Sequence, residues 1–364
     1  MNSLMLNDNV HKILISSSAL FTGQFRSELI CLDLCFPFGD SVGLHNFQEH
    51  PNNRTFIVVS LIREHDGGLV LPNLAVEGDF ICSLLSVLYG KEFKFHGLLE
   101  SNGAYRLPNI ENSPNPYYAY PQYNHNQRID LNIPLNLSQF ELIAPIFHSE
   151  NQNPNFLKFK QLISAALMFY SRSLNIFKTE KELAFLDLIT CGEILTNLDS
   201  EQYDEEALYD QNLLDMFRQI STLENGDSIV RNLKSRLYQV KRKFTYGLVN
   251  LLNTNFFDNT EFGRERPPVN LNLTPANIEI TLKSAYDLRS KYVHTGEKFG
   301  SFITPESCWF NEKIFYLPTQ TRDNSNLVRT LRSAPTFLGL ERILRFALLK
   351  SIHQNGISIN SELD

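Results

Sequence analysis

Three polar side chains near residue 290 belong to types that handle phosphate groups. Arg289, Ser290 and His294 lie within one stretch of six residues. The planar guanidinium of arginine binds two phosphate oxygens, and histidine transfers protons near neutral pH. Serine supplies a hydroxyl that can orient a reacting group through a hydrogen bond. This combination predicts a site for acid–base chemistry on a phosphate ester.

A single amphipathic helix is predicted to carry these residues. Thr274 and Pro275 fit its N-cap and first turn, because proline lacks only an N–H that would be unpaired there. Thr295 and Gly296 fit its end, because glycine adopts the left-handed conformation at little cost. Apolar residues three or four apart predict its buried face. They are Ile278, Leu282, Ala285, Leu288 and Tyr292.

The residues from 286 to 296 resemble the motif of a known ribonuclease family. They read Y-D-L-R-S-K-Y-V-H-T-G. This resembles the R-x-x-x-x-H motif of HEPN ribonucleases, most closely the Apea-like HEPN group with its Y-x-L-R-S-x-x-V-H-x-G pattern. The resemblance covers the C-terminal half of the chain. It implies that Arg289, Ser290 and His294 are catalytic and that Tyr292 supports them.

A second segment of the C-terminal half extends the resemblance. Glu193 stands where similar proteins often carry an A-L-E segment, which implies a supporting role for its carboxylate. Gly192 occupies the position where leucine is common, and there the chain departs from the family pattern.

The resemblance also implies a fold and a reaction. HEPN domains are small helical bundles, and the expected cleavage needs no metal or other cofactor. The RNA 2′-hydroxyl attacks the adjacent phosphate and leaves a 2′,3′-cyclic phosphate, so the nucleophile comes with the substrate. The negative end of the helix dipole favours a protonated His294, which suits a general acid. Ser290 is a candidate to orient a reacting group.

The spacing of the two main residues implies a homodimer. Arg289 and His294 are five residues apart, which places them about 140° apart around an ideal helix. One helix therefore cannot direct both side chains at the same point. The family solves this with a symmetric dimer in which two such helices share one cleft, and we expect the same here.

Any contact with RNA must come from a local basic patch. The chain has 33 Lys and Arg against 40 Asp and Glu, a net charge of −7, which excludes a globally basic nucleic-acid binder. The candidates are Lys291, Lys234, Arg236, Lys241, Arg242 and Lys243. All but the first are predicted on one helix, Asp227–Asn253, which could follow an RNA backbone. A solvated helix face is the alternative. It would lie beside the acidic segment Glu201–Asp210, which is predicted to be a solvated linker.

Structural interpretations of the same residues stay open. Arg289 could form an ion pair with Asp287 or Glu297, and His294 could cap the helix end. The tyrosines between 116 and 123 could stack on bases, or could pack within their own proline-rich loop. At the level of function, a non-catalytic module that binds nucleotide, RNA or a partner protein is the main alternative. A structural dimerisation protein is the third.

The predicted fold is a two-domain α+β protein. Residues 1–149 form a β-rich or mixed α+β domain, and a polar break at Glu150–Asn155 separates it from a helical domain at 155–364. The first domain should contain strands Val10–Ile15, Glu28–Phe36 and Thr55–Ile62, a hairpin turn at 66–68, helix Phe80–Tyr89 ended by Gly90, and a loop-rich region from 101 to 135.

The second domain should consist of long helices. They are predicted at Leu157–Phe177, Glu180–Leu198, Asn212–Ile220, Asp227–Asn253, the R-x-x-x-x-H helix and 324–354, the last bent or divided at Pro335. Thr179 and Glu182 are predicted to form a capping box. Leucines and isoleucines from Leu183 to Leu195 are predicted to form the buried stripe of the second helix.

Composition indicates the class of protein and the compartment in which it is expected. Hydrophobic residues make up 43% and charged residues 20%, as in ordinary folded proteins. The five cysteines are scattered without zinc-like spacing, which indicates a reducing compartment. With no long apolar segment, we expect no membrane association and a cytoplasmic protein. The family resemblance suggests a toxin of bacterial antiviral defence or abortive infection, with the N-terminal domain as restraint or sensor of a phage-derived trigger.

Overall fold

The structure is a computed structural model that describes most of both halves of the chain. The described residues are 8–17, 19, 21–35, 55–64, 73–105, 135–148, 153–198, 208–237, 239–258, 271–304, 312–314 and 325–359. The predicted hairpin turn at 66–68, the tyrosines between 116 and 123, and Cys308 lie outside these residues.

The N-terminal part is built on an antiparallel sheet. The strands are β1 Asp8–Ser17, β2 Phe21–Thr22, β3 Phe25–Arg26, β4 Ile30–Cys35, β5 Thr55–Glu64, β6 Phe93–Ser101, β7 Ala104–Tyr105 and β8 Leu135–Asn136. Six of them pair in the order β3-β4-β5-β1-β6-β7, while β2 and β8 form a separate parallel pair. The three predicted strands are confirmed as β1, β4 and β5, and β6 is an additional one.

The C-terminal part is mostly helical, as predicted. Two α-helices belong to the N-terminal part, α1 Ala75–Tyr89 and α2 Ala144–His148. Those of the C-terminal part are α3 Pro154–Ile176, α4 Lys181–Thr196, α5 Gln211–Ser221, α6 Gly226–Arg236, α7 Val240–Leu251, α8 Thr254–Asp258, α9 Ile278–Thr295, α10 Gly300–Ile303, α11 Ser325–Ser333 and α12 Phe337–Gln354. A 3₁₀ helix covers Leu137–Leu142. The chain leaves the helical state between α11 and α12, as predicted from Pro335, which has no N–H for a helix interior.

The predicted helix Asp227–Asn253 is wrong, because the chain forms two helices there. Helix α6 ends at Arg236 and α7 begins at Val240. Between them Gln239 adopts a left-handed conformation with φ of 42°, which no continuous α-helix allows. The basic residues of this region are therefore divided between two helices instead of lining one.

Two predicted helix starts are also corrected. The Thr179 hydroxyl donates to the carbonyl of Ile176 at the end of α3, and the Glu182 carboxylate accepts from the N–H of Gly300, so they form no capping box for α4. Helix α9 begins at Ile278 with Asn277 as its N-cap, after a turn, instead of at Pro275. At α4, Glu182 contacts a residue 118 positions away, which the local pattern does not reveal.

One continuous set of buried side chains connects the sheet with the helices. Helix α1 packs against α3, where the hydroxyl oxygens of Ser86 and Ser171 are 3.1 Å apart. From α12, Arg345 donates to the carbonyls of Val87 and Leu88 at 2.8 and 2.6 Å. The residues before 149 and after 155 thus share a core. Independent folding of the two predicted domains stays a prediction.

Helices α5 and α6 enclose a small apolar cluster of their own. It contains Leu208, Tyr209, Phe217 and Val230, with Tyr209 and Phe217 in an edge-to-face contact at 5.3 Å. Leu208 and Tyr209 belong to the segment predicted to be a solvated acidic linker, and they are buried. The rest of that segment up to residue 207 lies outside the described residues.

Candidate active site

Helix α9 is placed by the apolar face that the sequence predicted. Ile278, Leu282, Ala285 and Leu288 are buried, and the helix packs against α4, α7 and α11. Tyr292 is half-buried, with its ring centroid 6.0 Å from that of Phe299. The predicted end at Gly296 is confirmed, since this glycine has a φ of 69°.

Arg289 is half-buried and faces an aromatic ring. Its guanidinium carbon lies 5.5 Å from the centroid of Tyr286, a distance at which a cation is attracted to the ring face. The two carboxylates considered as its partners are engaged elsewhere: Asp287 accepts from Lys241 at 2.5 Å, and Glu297 lies 4.0 Å from Lys291. Within the described part of the chain, Arg289 makes no ion pair.

His294 and Ser290 complete the arc of polar side chains on α9. His294 is exposed in the last helical turn, and Ser290 is half-buried. Neither side chain makes a hydrogen bond to any residue that the structure describes. The helix end is instead closed by the N–H of Gly296, which donates to Tyr292, and by the Thr295 hydroxyl, which donates to Lys291. The structure therefore does not use His294 as a helix cap.

Glu193 reaches the site through Tyr286, the first residue of the quoted motif, for which no role was predicted. Burial raises the pKa of Tyr286 to about 12, and the Glu193 carboxylate, as hydrogen-bond acceptor and negative charge, acts in the same direction. The nearby Arg289 charge opposes this rise. Glu193, Tyr286 and Arg289 thus form a row from α4 to α9. Tyr286 precedes Arg289 by three residues, a spacing that places both on one helical face and could have revealed the contact.

The candidate RNA-binding cations are dispersed. Besides the ion pairs of Lys241 and Lys291, Arg242 donates to the Leu208 carbonyl at 3.1 Å and to Asp210 at 2.9 Å. Lys234, on α6, lies over the ring of Phe217 at 5.4 Å. Lys243 is half-buried on α7, and Arg236 is the last residue of α6. These contacts join helices to one another, so a single basic track does not form along one helix.

The described ranges contain neither a cluster of metal ligands nor a membrane-spanning helix. Across these ranges, no three histidine, cysteine or carboxylate side chains come together in a way that could hold a metal ion. None of the helices that the structure describes has the length and apolar character needed to cross a membrane.

The chain was compared with known proteins of three kinds. Comparisons with protein-family models, with curated proteins and with solved structures found no match. What the chain presents is a helix with an arginine and a histidine five residues apart. Neither side chain forms an ion pair or a hydrogen bond with the residues that the structure describes.

Proposed function

We propose that this chain is a metal-independent endoribonuclease of the HEPN type. The observation that supports it most is Arg289, a half-buried residue whose guanidinium has no carboxylate partner among the described residues. Partial burial reduces the hydration of a charge, so an opposite charge placed beside it is favourable. An anionic ligand such as a phosphate group would supply the missing partner.

The proposed reaction assigns a role to each of the three polar residues. The 2′-oxygen forms a bond to phosphorus while the bond from phosphorus to the 5′-oxygen breaks, leaving a 2′,3′-cyclic phosphate and a 5′-hydroxyl. Arg289 neutralises the charge that develops on the non-bridging oxygens. The exposed His294 donates the proton that the 5′-oxygen needs, and Ser290 orients a reacting group.

A symmetric homodimer would complete this site. Around the axis of α9, Val293 lies about 40° and His294 about 140° from Arg289. Val293 is 50% exposed, so an apolar side chain stands between the two catalytic candidates. Packing α9 against its copy would cover Val293 and bring the arginine of one subunit towards the histidine of the other. The histidine of the second subunit would then serve as general base.

We further propose that the N-terminal part restrains or triggers the nuclease, in a cytoplasmic system of bacterial antiviral defence. A ribonuclease that attacks cellular RNA must be held inactive until it is needed. The packing of α1 against α3, and the contacts of α12 with the end of α1, give a route by which a trigger bound at the sheet could act on the helices. Lys291, on α9 itself, and Lys243, on α7, are candidates for contacts to the RNA backbone.

Cleavage of total RNA in the presence of EDTA tests the activity. We expect His294→Ala and Arg289→Ala each to slow cleavage by about 10²- to 10⁴-fold, the range for loss of acid–base or charge stabilisation. Lys298→Ala is the matched control, since it removes an exposed cation four residues beyond His294. Equal cleavage by all four proteins would exclude this site. RNA binding by the wild type without cleavage, with trigger candidates present, would favour a non-catalytic binding module.

A further inference from the structure

Arg289 lies over the first of two aromatic rings that contact each other at a tilt. Tyr286 lies beneath its guanidinium, and the ring of Phe244 lies 5.6 Å from the ring of Tyr286 at an angle of 53°. Phe244 is on α7 and is completely buried, whereas Tyr286 is half-buried on α9. The position of Phe244 in the core therefore determines where Tyr286, and above it the guanidinium, can lie.

A glycine on α4 makes room for the lower ring. A Cβ atom at Gly192 would be 2.5 Å from one ring carbon of Phe244 and 3.1 Å from another. It would also lie 3.2 Å from a methyl carbon of Leu344, which closes the space on the other side. Because such distances are well below ordinary carbon–carbon contacts of 3.5–4.0 Å, any side chain at residue 192 would displace Phe244.

We propose that Gly192, Phe244 and Tyr286 form a platform that positions Arg289 for phosphate binding. This inference rests on the proposed ribonuclease function. The three are positioning residues: they act on the reaction through the arginine. A free arginine side chain samples many rotamers, and a ring beneath the guanidinium restricts them before substrate arrives. Preorganised charge is what stabilises a phosphorane, so displacement of the platform should slow the chemical step.

The electrostatic surroundings of Tyr286 agree with this role. The Tyr286 hydroxyl is hydrogen-bonded to the Glu193 carboxylate of α4, the helix that also provides Gly192. The face of the ring, whose quadrupole attracts a cation, does not depend on this hydroxyl.

Cleavage rates of matched variants test the platform. We expect Gly192→Ala to lower kcat by about 10- to 100-fold, as for displacement of a catalytic group by about an ångström, with little change in KM. Phe244→Leu should lower kcat in the same direction, because it removes the ring against which Tyr286 packs. Tyr286→Leu should lose as much as Gly192→Ala, whereas Tyr286→Phe, which keeps the ring, should stay near the wild-type rate.

An activity-independent measurement separates this inference from the proposed function. The order parameter of the Arg289 Nε–H bond can be followed by NMR, with its resonance identified by its absence in Arg289→Lys. We expect an ordered guanidinium in the wild type and in Tyr286→Phe, and a mobile one in Gly192→Ala and Tyr286→Leu. If the wild type cuts no RNA but the order parameters follow this pattern, the platform stands and the ribonuclease proposal fails. If Arg289 is equally ordered in all variants, the platform is wrong, and Tyr286→Leu decides this even where Gly192→Ala does not fold.

Discussion

At the scale of single residues, the site depends on which charges the fold engages and which it leaves available. Lys241 holds Asp287, the carboxylate that precedes Arg289 by two residues. Two residues apart on a helix, Asp287 and Arg289 point to nearly opposite sides, so this carboxylate does not compete with phosphate for the arginine. The exposed ion pair joins α7 to α9 and contributes little to stability, since such pairs are worth at most about 1 kcal/mol.

The titration of Tyr286 gives a prediction at this scale. Its pKa is raised from 10.0 to about 12 in the folded protein, so the unfolded chain loses this proton first as the pH rises. The contribution of Tyr286 to stability is therefore intact below about pH 10 and is lost between about pH 10 and about pH 12. In Tyr286→Phe, the fall of the urea midpoint over this window should be shallower than in the wild type.

Tyr105→Phe is the control for this measurement, because Tyr105 is 75% exposed. It should leave the dependence of the urea midpoint on pH as in the wild type. A Tyr286→Phe curve that coincides with the wild-type curve would show that the phenol has the same pKa in the folded and unfolded protein. It would contradict the burial of Tyr286 beside Glu193.

At the scale of elements, helix ends depend on partners far along the chain. Arg345 donates two hydrogen bonds to carbonyls in the last turn of α1, groups that have no partner within their own helix. A cation there also meets the negative end of the helix dipole. Arg345 is separated from Val87 by 258 residues, so no local pattern could have predicted this contact.

Substitution of this arginine should destabilise the protein. We expect Arg345→Met to lower the free energy of unfolding by about 1.5–3 kcal/mol, because hydrogen bonds from a charged donor are lost while the chain length of the side chain is kept. Arg332→Met, at an exposed position of α11, should change it by no more than about 0.5 kcal/mol. Urea unfolding measures both. Equal effects of the two substitutions would contradict the capping role.

The elements that sequence reasoning missed have identifiable causes. Strand β6 lacks a regular alternation, because its register against β1 shifts between Lys12 and Ile13 and again between Leu14 and Ile15. Gly97, within the strand, has a φ of 111°. The end of α6 carries no proline or glycine signal, and the break is associated with the contacts of Arg242 to the segment before α5. Such irregularities are set by packing, which periodicity does not encode.

At the scale of the whole molecule, the shared core predicts that the sheet region and the helices unfold together. Leu85, on α1, is fully buried in the core that also contains Ile343 and Leu348 of α12. We expect Leu85→Ala to cost about 2–5 kcal/mol, as for other buried leucines. Hydrogen exchange should then show a loss of amide protection of that size in both α1 and α12.

Val76→Ala is the control on the same helix, since Val76 is 78% exposed. Its effect on protection should be within about 0.5 kcal/mol. If Leu85→Ala weakened protection in α1 and the sheet but left α12 unchanged, the two parts would be independent folding units. The division at 149 and 155 would then be correct in that sense.

The sequence by itself determined helix α9, the end of that helix, and the set of residues on it that could do chemistry. These features follow from local rules: a period of 3.6 residues selects the buried face, and the glycine at 296 ends the helix because its left-handed conformation is cheap. It also determined the order of a sheet region followed by helices, and three of the strands.

Only the tertiary structure decided which side chains surround those residues. It placed Tyr286 beneath Arg289, Phe244 beneath Tyr286, and Gly192 where a side chain would displace that ring. It also assigned Lys241 to Asp287, although 46 residues separate them. The physical reason is the same in each case. Packing at near-crystalline density makes contacts between distant residues depend on the shape of the whole core, and that shape is not contained in any local pattern.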